Sequence, residues 1–91
     1  MPQVFKIWGY TVYFWANEGK PTEPLHVHIS KGVPTENGTK IWITSTGKCI
    51  CPKKTSIPQI TLNRIIKVIE ARSEYIKQKW LEQFGEITYI V

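Results

Sequence analysis

The chain contains no aspartate, and its seven glutamates are outnumbered by twelve lysines and arginines. A nuclease that works with two metal ions needs several carboxylates clustered around the metals. Only three of the glutamates precede residue 58, and three of the other four fall in the segment with helical periodicity, residues 58–84. The sequence therefore argues against a two-metal carboxylate nuclease.

Long hydrophobic runs are also missing, and the chain does not open on a positively charged leader followed by an apolar segment. These absences predict a soluble, cytoplasmic protein without membrane contact. With 91 residues, 42% of them hydrophobic, the chain is long enough for one core and too short for two. We expect a single domain over residues 1–91.

Cysteine is scarce, with Cys49 and Cys51 as the only two. Without a secretory signal, they are expected to be free thiols or metal ligands rather than a disulfide. Together with His26 and His28 they are the best zinc ligands in the chain. The Cys-x-Cys spacing departs from the usual Cys-x-x-Cys, so we expect no cofactor and keep a zinc site as an alternative.

Positive charge is concentrated in the first part of the sequence. The net charge is +5, and residues 1–57 carry seven lysines against three glutamates. The stretch 40–54 holds four lysines and no acid. Such a surface favours anionic partners, including RNA.

The pattern of apolar residues predicts an α+β fold. Runs of β-branched and aromatic residues, separated by turn residues, indicate a four- or five-stranded antiparallel meander within residues 4–51. The strands are expected at 4–8, 10–16, around 25–29, at 40–44 and at 48–51. A linker over 52–57 leads to a long helix over 58–84, and residues 87–91 form a β-like tail.

The helix prediction depends on a change of period after residue 57. Apolar residues recur at steps of three, four or seven, which places them on one stripe of a helix: Leu62, Ile65, Ile66, Ile69, Ile76, Trp80 and Phe84. Pro58 suits the first turn and Gly85 the position after the last. We expect this helix to cover one face of the sheet, with Trp80 and Phe84 in the core.

Side chains on a strand alternate between two faces, so each strand divides into an inner and an outer row. Placing the aliphatic rows against the helix gives an inner set of Phe5, Ile7, Val12, Phe14, Leu25, Val27, Ile29, Ile41, Ile43 and Ile50. The outer set is then Lys6, Trp8, Thr11, Tyr13, Trp15, His26, His28, Lys40 and Trp42, with Cys49 and Cys51 if the fifth strand keeps the same parity.

The predicted outer face is aromatic and basic, and several interpretations remain open. Its aromatic rings suit stacking on RNA bases while nearby lysines contact phosphate; the residues expected to bind are Lys6, Trp8, Tyr13, Trp15, Lys31 and Trp42. The same rings suit the centre of a protein interface, where Trp and Tyr are enriched. A homodimer formed through this face is a third interpretation.

Both histidines lie two residues apart in Pro24-Leu25-His26-Val27-His28-Ile29. Metal-independent RNA cleavage needs a base, an acid and a cation that stabilises the phosphorane. His26 and His28 are candidates for the first two roles, and Lys40 or Lys31 for the third. Strand alternation places both rings outside the core, so alanine in their place should hardly alter stability.

Several segments resemble a known family. In chain order they are Pro2-Gln3-Val4-Phe5-Lys6-Ile7-Trp8-Gly9-Tyr10, Tyr13-Phe14-Trp15-Ala16-Asn17-Glu18, the histidine run, Lys40-Ile41-Trp42-Ile43 and Lys79-Trp80-Leu81-Glu82-Gln83-Phe84-Gly85. They resemble small prokaryotic proteins catalogued as domain of unknown function 4160, whose usual Pro-Pro-His-Val-His-Val has leucine here at its second position.

The resemblance covers about residues 2–85 and implies a setting rather than a reaction. Family members are typically encoded beside a second small protein, and some are regarded as toxins of toxin–antitoxin pairs. A cognate small protein encoded nearby is therefore the expected partner. Three hypotheses remain: a toxin that acts on RNA, a module that binds protein or nucleic acid without catalysis, and a zinc-binding protein.

Overall fold

The computed structural model describes residues 3–16 and 23–91. Five antiparallel strands lie side by side in chain order and form an open meander. They are β1 (Gln3–Ile7), β2 (Tyr10–Tyr13), β3 (His26–Lys31), β4 (Thr39–Ile43) and β5 (Cys49–Ile50), and the helices α1 (Gln59–Ala71) and α2 (Ser73–Phe84) follow. The predicted α+β class, with an antiparallel sheet followed by helix, is confirmed.

A tight turn at Trp8 and Gly9 joins β1 to β2. Both residues have positive φ, 49° and 80° respectively, which is the geometry that matches the twist of a two-residue hairpin. Gly9 adopts it without cost, whereas a bulky residue such as Trp8 rarely does. Trp8 is therefore a turn residue, 59% exposed, and not the last outward residue of a strand.

The inner row of the sheet follows the predicted alternation across the central strands. Phe5 lies opposite Val12 and Val12 opposite Ile29, while Val27 lies opposite Ile41. A register irregularity between Gln3 and Phe5 also brings Val4 into the core. These side chains share one hydrophobic core with the helix stripe, which contributes Leu62, Ile65, Ile69, Ile76 and Trp80.

The predicted single helix over 58–84 is wrong in one respect, because Arg72 divides it into α1 and α2. Arg72 has φ −106° and ψ 17°, outside the helical range. No proline or glycine occurs between residues 59 and 84, so nothing local marks the break. Residues at the break instead contact residues that are distant in sequence. The Arg72 guanidinium lies 4.8 Å from the Phe5 ring centroid, and buried Ser73 lies close to Gly47.

The helix ends agree with the sequence signals. Pro58 precedes the first residue of α1, where its carbonyl accepts the Leu62 N–H at 2.9 Å. Gly85 ends α2 in the left-handed conformation, with φ 80°. Among residues 3–16 and 23–91, no helix combines the length and the apolar character needed to cross a membrane.

The tail after α2 lies along the start of β3. Thr88 forms an isolated parallel bridge with Pro24, and its carbonyl accepts the Leu25 N–H at 2.8 Å. Farther along, the Val91 carbonyl accepts the Ser45 N–H at 3.2 Å. The β-like tail therefore contacts the body of the protein through one isolated bridge and a separate backbone hydrogen bond, and it is not a sixth strand of the sheet.

The parity predicted for β5 is wrong. Ile50 lies opposite Trp42 and is 39% exposed, whereas Cys49 lies opposite core residue Ile43. Cys49 and Cys51 are both half-buried against the hydrophobic core. The turn from Thr44 to Lys48 sets this register, and two strand residues are too few for an alternation pattern to reveal it.

Candidate nucleic-acid interface

The face opposite the inner row brings both histidines together with a lysine and a tryptophan. His28 lies opposite Lys40 on β4 and opposite Tyr13 on β2, and His26 lies opposite Trp42. The two imidazole centroids are 5.2 Å apart with perpendicular planes, and the His28 ring stacks on Tyr13 at 5.5 Å. Strand alternation thus predicted correctly that these residues share one face of the sheet.

His26 is nevertheless enclosed, so the prediction that it lies outside the core is wrong. Its exposed fraction is 0%, and its ring centroid lies 5.3 Å from that of Trp42 and 5.4 Å from that of Trp80. Trp80 comes from α2, so a helix residue and a strand residue both pack on the ring. Such a ring has no surface that contacts a bound substrate, and a catalytic role for His26 gains no support from the structure.

The polar atoms of His26 have defined neighbours. Nδ1 lies 2.8 Å from the Pro24 carbonyl, which only accepts, so Nδ1 carries a proton and donates it. Nε2 faces the Glu23 carboxylate, with 3.7 Å between Nε2 and Oε2. The same Oε2 lies 4.0 Å from the Lys40 ammonium. The Glu23 carboxylate therefore lies between the buried His26 and the partly exposed Lys40.

Lys40 and Trp42 form the accessible centre of the site. The Lys40 ammonium lies 4.2 Å from the Trp42 ring centroid, a cation–π distance. The Lys40 side chain is 32% exposed, and Trp42 is half-buried. Because His26 and Lys40 both contact the indole, Trp42 has little freedom to change its orientation.

Tyr13 does not offer its ring to a ligand, contrary to the prediction that it stacks on bases. It is 0% exposed, and the loop over residues 32–38 covers it. Its hydroxyl donates to the Thr35 carbonyl at 2.6 Å, lies 2.8 Å from Ser30 Oγ and accepts the Thr35 N–H at 3.2 Å. Trp15, half-buried, packs edge-on against Tyr13 with centroids 5.4 Å apart. Tyr13 thus fixes the loop to the sheet.

A pocket of about 620 Å³ opens beside this centre, between β4 and the linker that follows β5. His28, Lys40 and Trp42 form its sheet side, and the linker adds Lys53 and Lys54. The full lining is His28, Asn37, Gly38, Thr39, Lys40, Trp42, Pro52, Lys53, Lys54, Thr55 and Ser56. We call this the lysine pocket, since three lysines and no carboxylate line it.

The sequence did not identify Lys53 and Lys54 as site residues. The acid-free run of four lysines over 40–54 was its only signal, and it did not indicate which lysines face the histidines. The linker is held in place by a hydrogen bond between the hydroxyls of Thr55 and Thr39. That contact between distant residues brings the two linker lysines to the pocket.

The remaining predicted binding residues lie elsewhere. Lys6 and Trp8 line a separate depression at the β1–β2 turn, together with Val33. Lys31 lines a pocket next to the lysine pocket, on the far side of Gly38. The structure therefore joins His28, Lys40 and Trp42 but separates them from the hairpin end of the sheet.

The four predicted zinc ligands do not converge. Cys49 and Cys51 pack against the core on the inner side of the sheet, whereas His26 and His28 occupy the outer rows. Burial, reinforced by the Glu70 carboxylate, raises the pKa of the Cys49 thiol to about 12, although Lys48 opposes the rise. In the described part of the chain, no three His, Cys, Asp or Glu side chains form a metal cluster.

The sequence was compared with known protein families, curated proteins and solved structures. A family model, Domain of unknown function (DUF4160), matches residues 9–81. The chain belongs to the DUF4160 family. The DUF4160 match extends from the β1–β2 turn into α2, so it includes the histidine strand and every lysine of the lysine pocket. No curated protein matches the sequence, and no solved structure matches either.

Proposed function

We propose that this DUF4160 protein binds single-stranded RNA and that the lysine pocket is its binding site. The observation that carries the proposal is the composition of that pocket, which Lys40, Lys53 and Lys54 line together with a half-buried tryptophan and without any carboxylate. Lysines neutralise phosphate charge, and an accessible aromatic ring accepts an unpaired base.

The electrostatics of the site favour an anionic ligand. The protein carries a net charge of +5, and three of its lysines line one pocket. Glu23 approaches Lys40 to 4.0 Å and offsets part of the charge there, so Lys53 and Lys54 are the principal phosphate contacts that we propose. Phosphate contacts of this kind supply affinity without sequence preference.

Trp42 distinguishes the site from a simple phosphate patch. Its indole is held by Lys40 at 4.2 Å and by the edge of His26 at 5.3 Å, so it is already oriented before a ligand arrives. Stacking of a base on an aromatic side chain is worth about 1–3 kcal/mol per base. Duplexes keep their bases stacked internally, which is why we propose an unpaired strand.

Binding is better supported than cleavage. An acid–base mechanism needs two proton-transferring groups within reach of the substrate. His28 lines the pocket, but His26 is enclosed by Trp42 and Trp80. The half-buried His28 imidazole lines the pocket beside the lysines, and the proposal requires no chemistry from it.

Replacing Lys53 and Lys54 together by alanine is expected to weaken RNA binding about tenfold at moderate salt, because two phosphate contacts are lost. The slope of log affinity against log salt should fall by about 1.4, at about 0.7 per phosphate for a single strand. Fluorescence anisotropy with a labelled, unstructured oligoribonucleotide measures both quantities.

The matched control replaces Lys67 and Lys79, which lie on the helices, and lowers the net charge by the same amount. Its affinity should stay within about twofold of the native protein. Equal losses in both double variants would show that binding depends on net charge alone, and the lysine pocket would not be the site.

The biological setting that we propose is that of the toxin-like member of a two-gene pair, with the neighbouring small protein as its partner. Family resemblance supports it, together with a site suited to RNA. Expression of the protein alone should slow growth, co-expression of the neighbouring protein should relieve the arrest, and the Lys53/Lys54 double variant should grow normally. Normal growth at high levels of the folded native protein would contradict the toxin proposal.

A further inference from the structure

We infer that the RNA site is an extended groove that takes at least two successive nucleotides, with phosphates bound near Lys53 and Lys54 at one end and near Lys31 at the other. This inference rests on the proposed function. Its basis is that a second pocket adjoins the lysine pocket, because Asn37, Gly38, Thr39 and Ser56 line both.

The dimensions suit a short strand. The second pocket has a volume of about 440 Å³, next to about 620 Å³ for the lysine pocket. Pockets for one small organic ligand measure about 300–1,000 Å³. Each pocket is therefore large enough for one nucleotide, and their four shared residues place them next to each other on the protein surface.

The side chains that line the two pockets suit a sugar–phosphate chain. Lysines line both pockets, and the exposed hydroxyl residues Thr35 and Ser56 line the second. No carboxylate lines either pocket. Hydroxyls hydrogen-bond to ribose 2′-hydroxyl groups and to base edges, which are the features that identify RNA.

The shared segment is fixed in position, so the groove exists before a ligand binds. Gly38 lies against the Tyr13 hydroxyl and Ser30 Oγ so closely that an added Cβ would collide with both. Thr35 holds the same hydroxyl through its carbonyl and its N–H. On the other side, the Thr39 and Thr55 hydroxyls are hydrogen-bonded. A preorganised groove loses less entropy when it orders a flexible strand.

The test measures affinity against ligand length. Uridine monophosphate and oligouridylates of two, four and eight residues are titrated into the native protein, Lys31→Ala and a control, Lys6→Ala. Lys6 lies in the depression at the β1–β2 turn, outside the groove. In the native protein and the control, affinity should rise at least tenfold from the monophosphate to the tetranucleotide. Lys31→Ala should lose most of that rise.

The alternative outcomes separate the two proposals. If Lys31→Ala weakens no ligand, or weakens all lengths equally, the extended groove is overturned. Loss of monophosphate binding in the Lys53/Lys54 double variant would in that case still support the lysine pocket. If the native protein binds none of the ligands, the proposed function and the extended groove both fail.

Discussion

His26→Ala is expected to lower the free energy of unfolding by about 2–4 kcal/mol, because it removes a buried ring and a buried hydrogen bond together. The ring has no exposed surface and contacts Trp42, Trp80 and His28 at centroid distances of 5.2–5.4 Å. Its Nδ1 proton satisfies the Pro24 carbonyl at 2.8 Å. Urea denaturation followed by tryptophan fluorescence measures the loss.

His28→Ala is the matched control, since it removes the same side chain from the same strand. His28 is half-buried and lines the lysine pocket, so its replacement should cost about 1 kcal/mol. Equal stability of His26→Ala and the native protein would contradict the enclosed position of His26. It would restore the expectation from strand alternation that neither ring is needed for folding.

Trp80→Ala is expected to cost about 3–5 kcal/mol, the range for a large aromatic residue removed from a core. Trp80 is 1% exposed, and its ring lies 5.1 Å from Phe14 and 4.5 Å from Phe84. It also encloses His26, so its removal opens the core towards the site. Denaturant titration, with the midpoint and slope compared to the native protein, gives the value.

Leu81→Ala provides the control at the adjacent position of α2. Leu81 is 45% exposed, so its truncation should change stability by no more than about 0.5–1 kcal/mol. A small effect at Trp80 and a large one at Leu81 would mean that α2 presents its other side to the sheet. The prediction of Trp80 as a core residue would then be wrong.

Periodicity was enough to predict the architecture. Alternation in the strands placed Val12, Val27 and Ile41 in the core, and steps of three and four placed Ile65 and Trp80 there. These patterns extend over several residues, so a single exception does not hide them. The break at Arg72 is different, because the contacts of Arg72 with Phe5 and of Ser73 with Gly47 join residues far apart in sequence.

The site was predictable only in part, because it too depends on contacts between residues far apart in sequence. Alternation correctly placed His26, His28 and Trp42 on one face. It did not reveal that Trp80 of α2 packs on His26 or that the loop over 32–38 covers Tyr13. Alternation assigns a residue to a face of the sheet, but it does not show whether another segment of the chain packs on that face. Lys53 lies in a linker without periodicity, and only the path of that linker in the folded chain brings it to the pocket.

RNA binding at the lysine pocket is tested most directly by NMR, through the indole N–H signals of the four tryptophans. An unstructured oligouridylate is titrated into labelled protein, and the signals are assigned with single Trp→Phe variants. The Trp42 signal should shift progressively and saturate, while that of Trp8, in the depression at the β1–β2 turn, should not move. Saturating binding that shifts Trp8 and leaves Trp42 unchanged would contradict the lysine pocket as the RNA site.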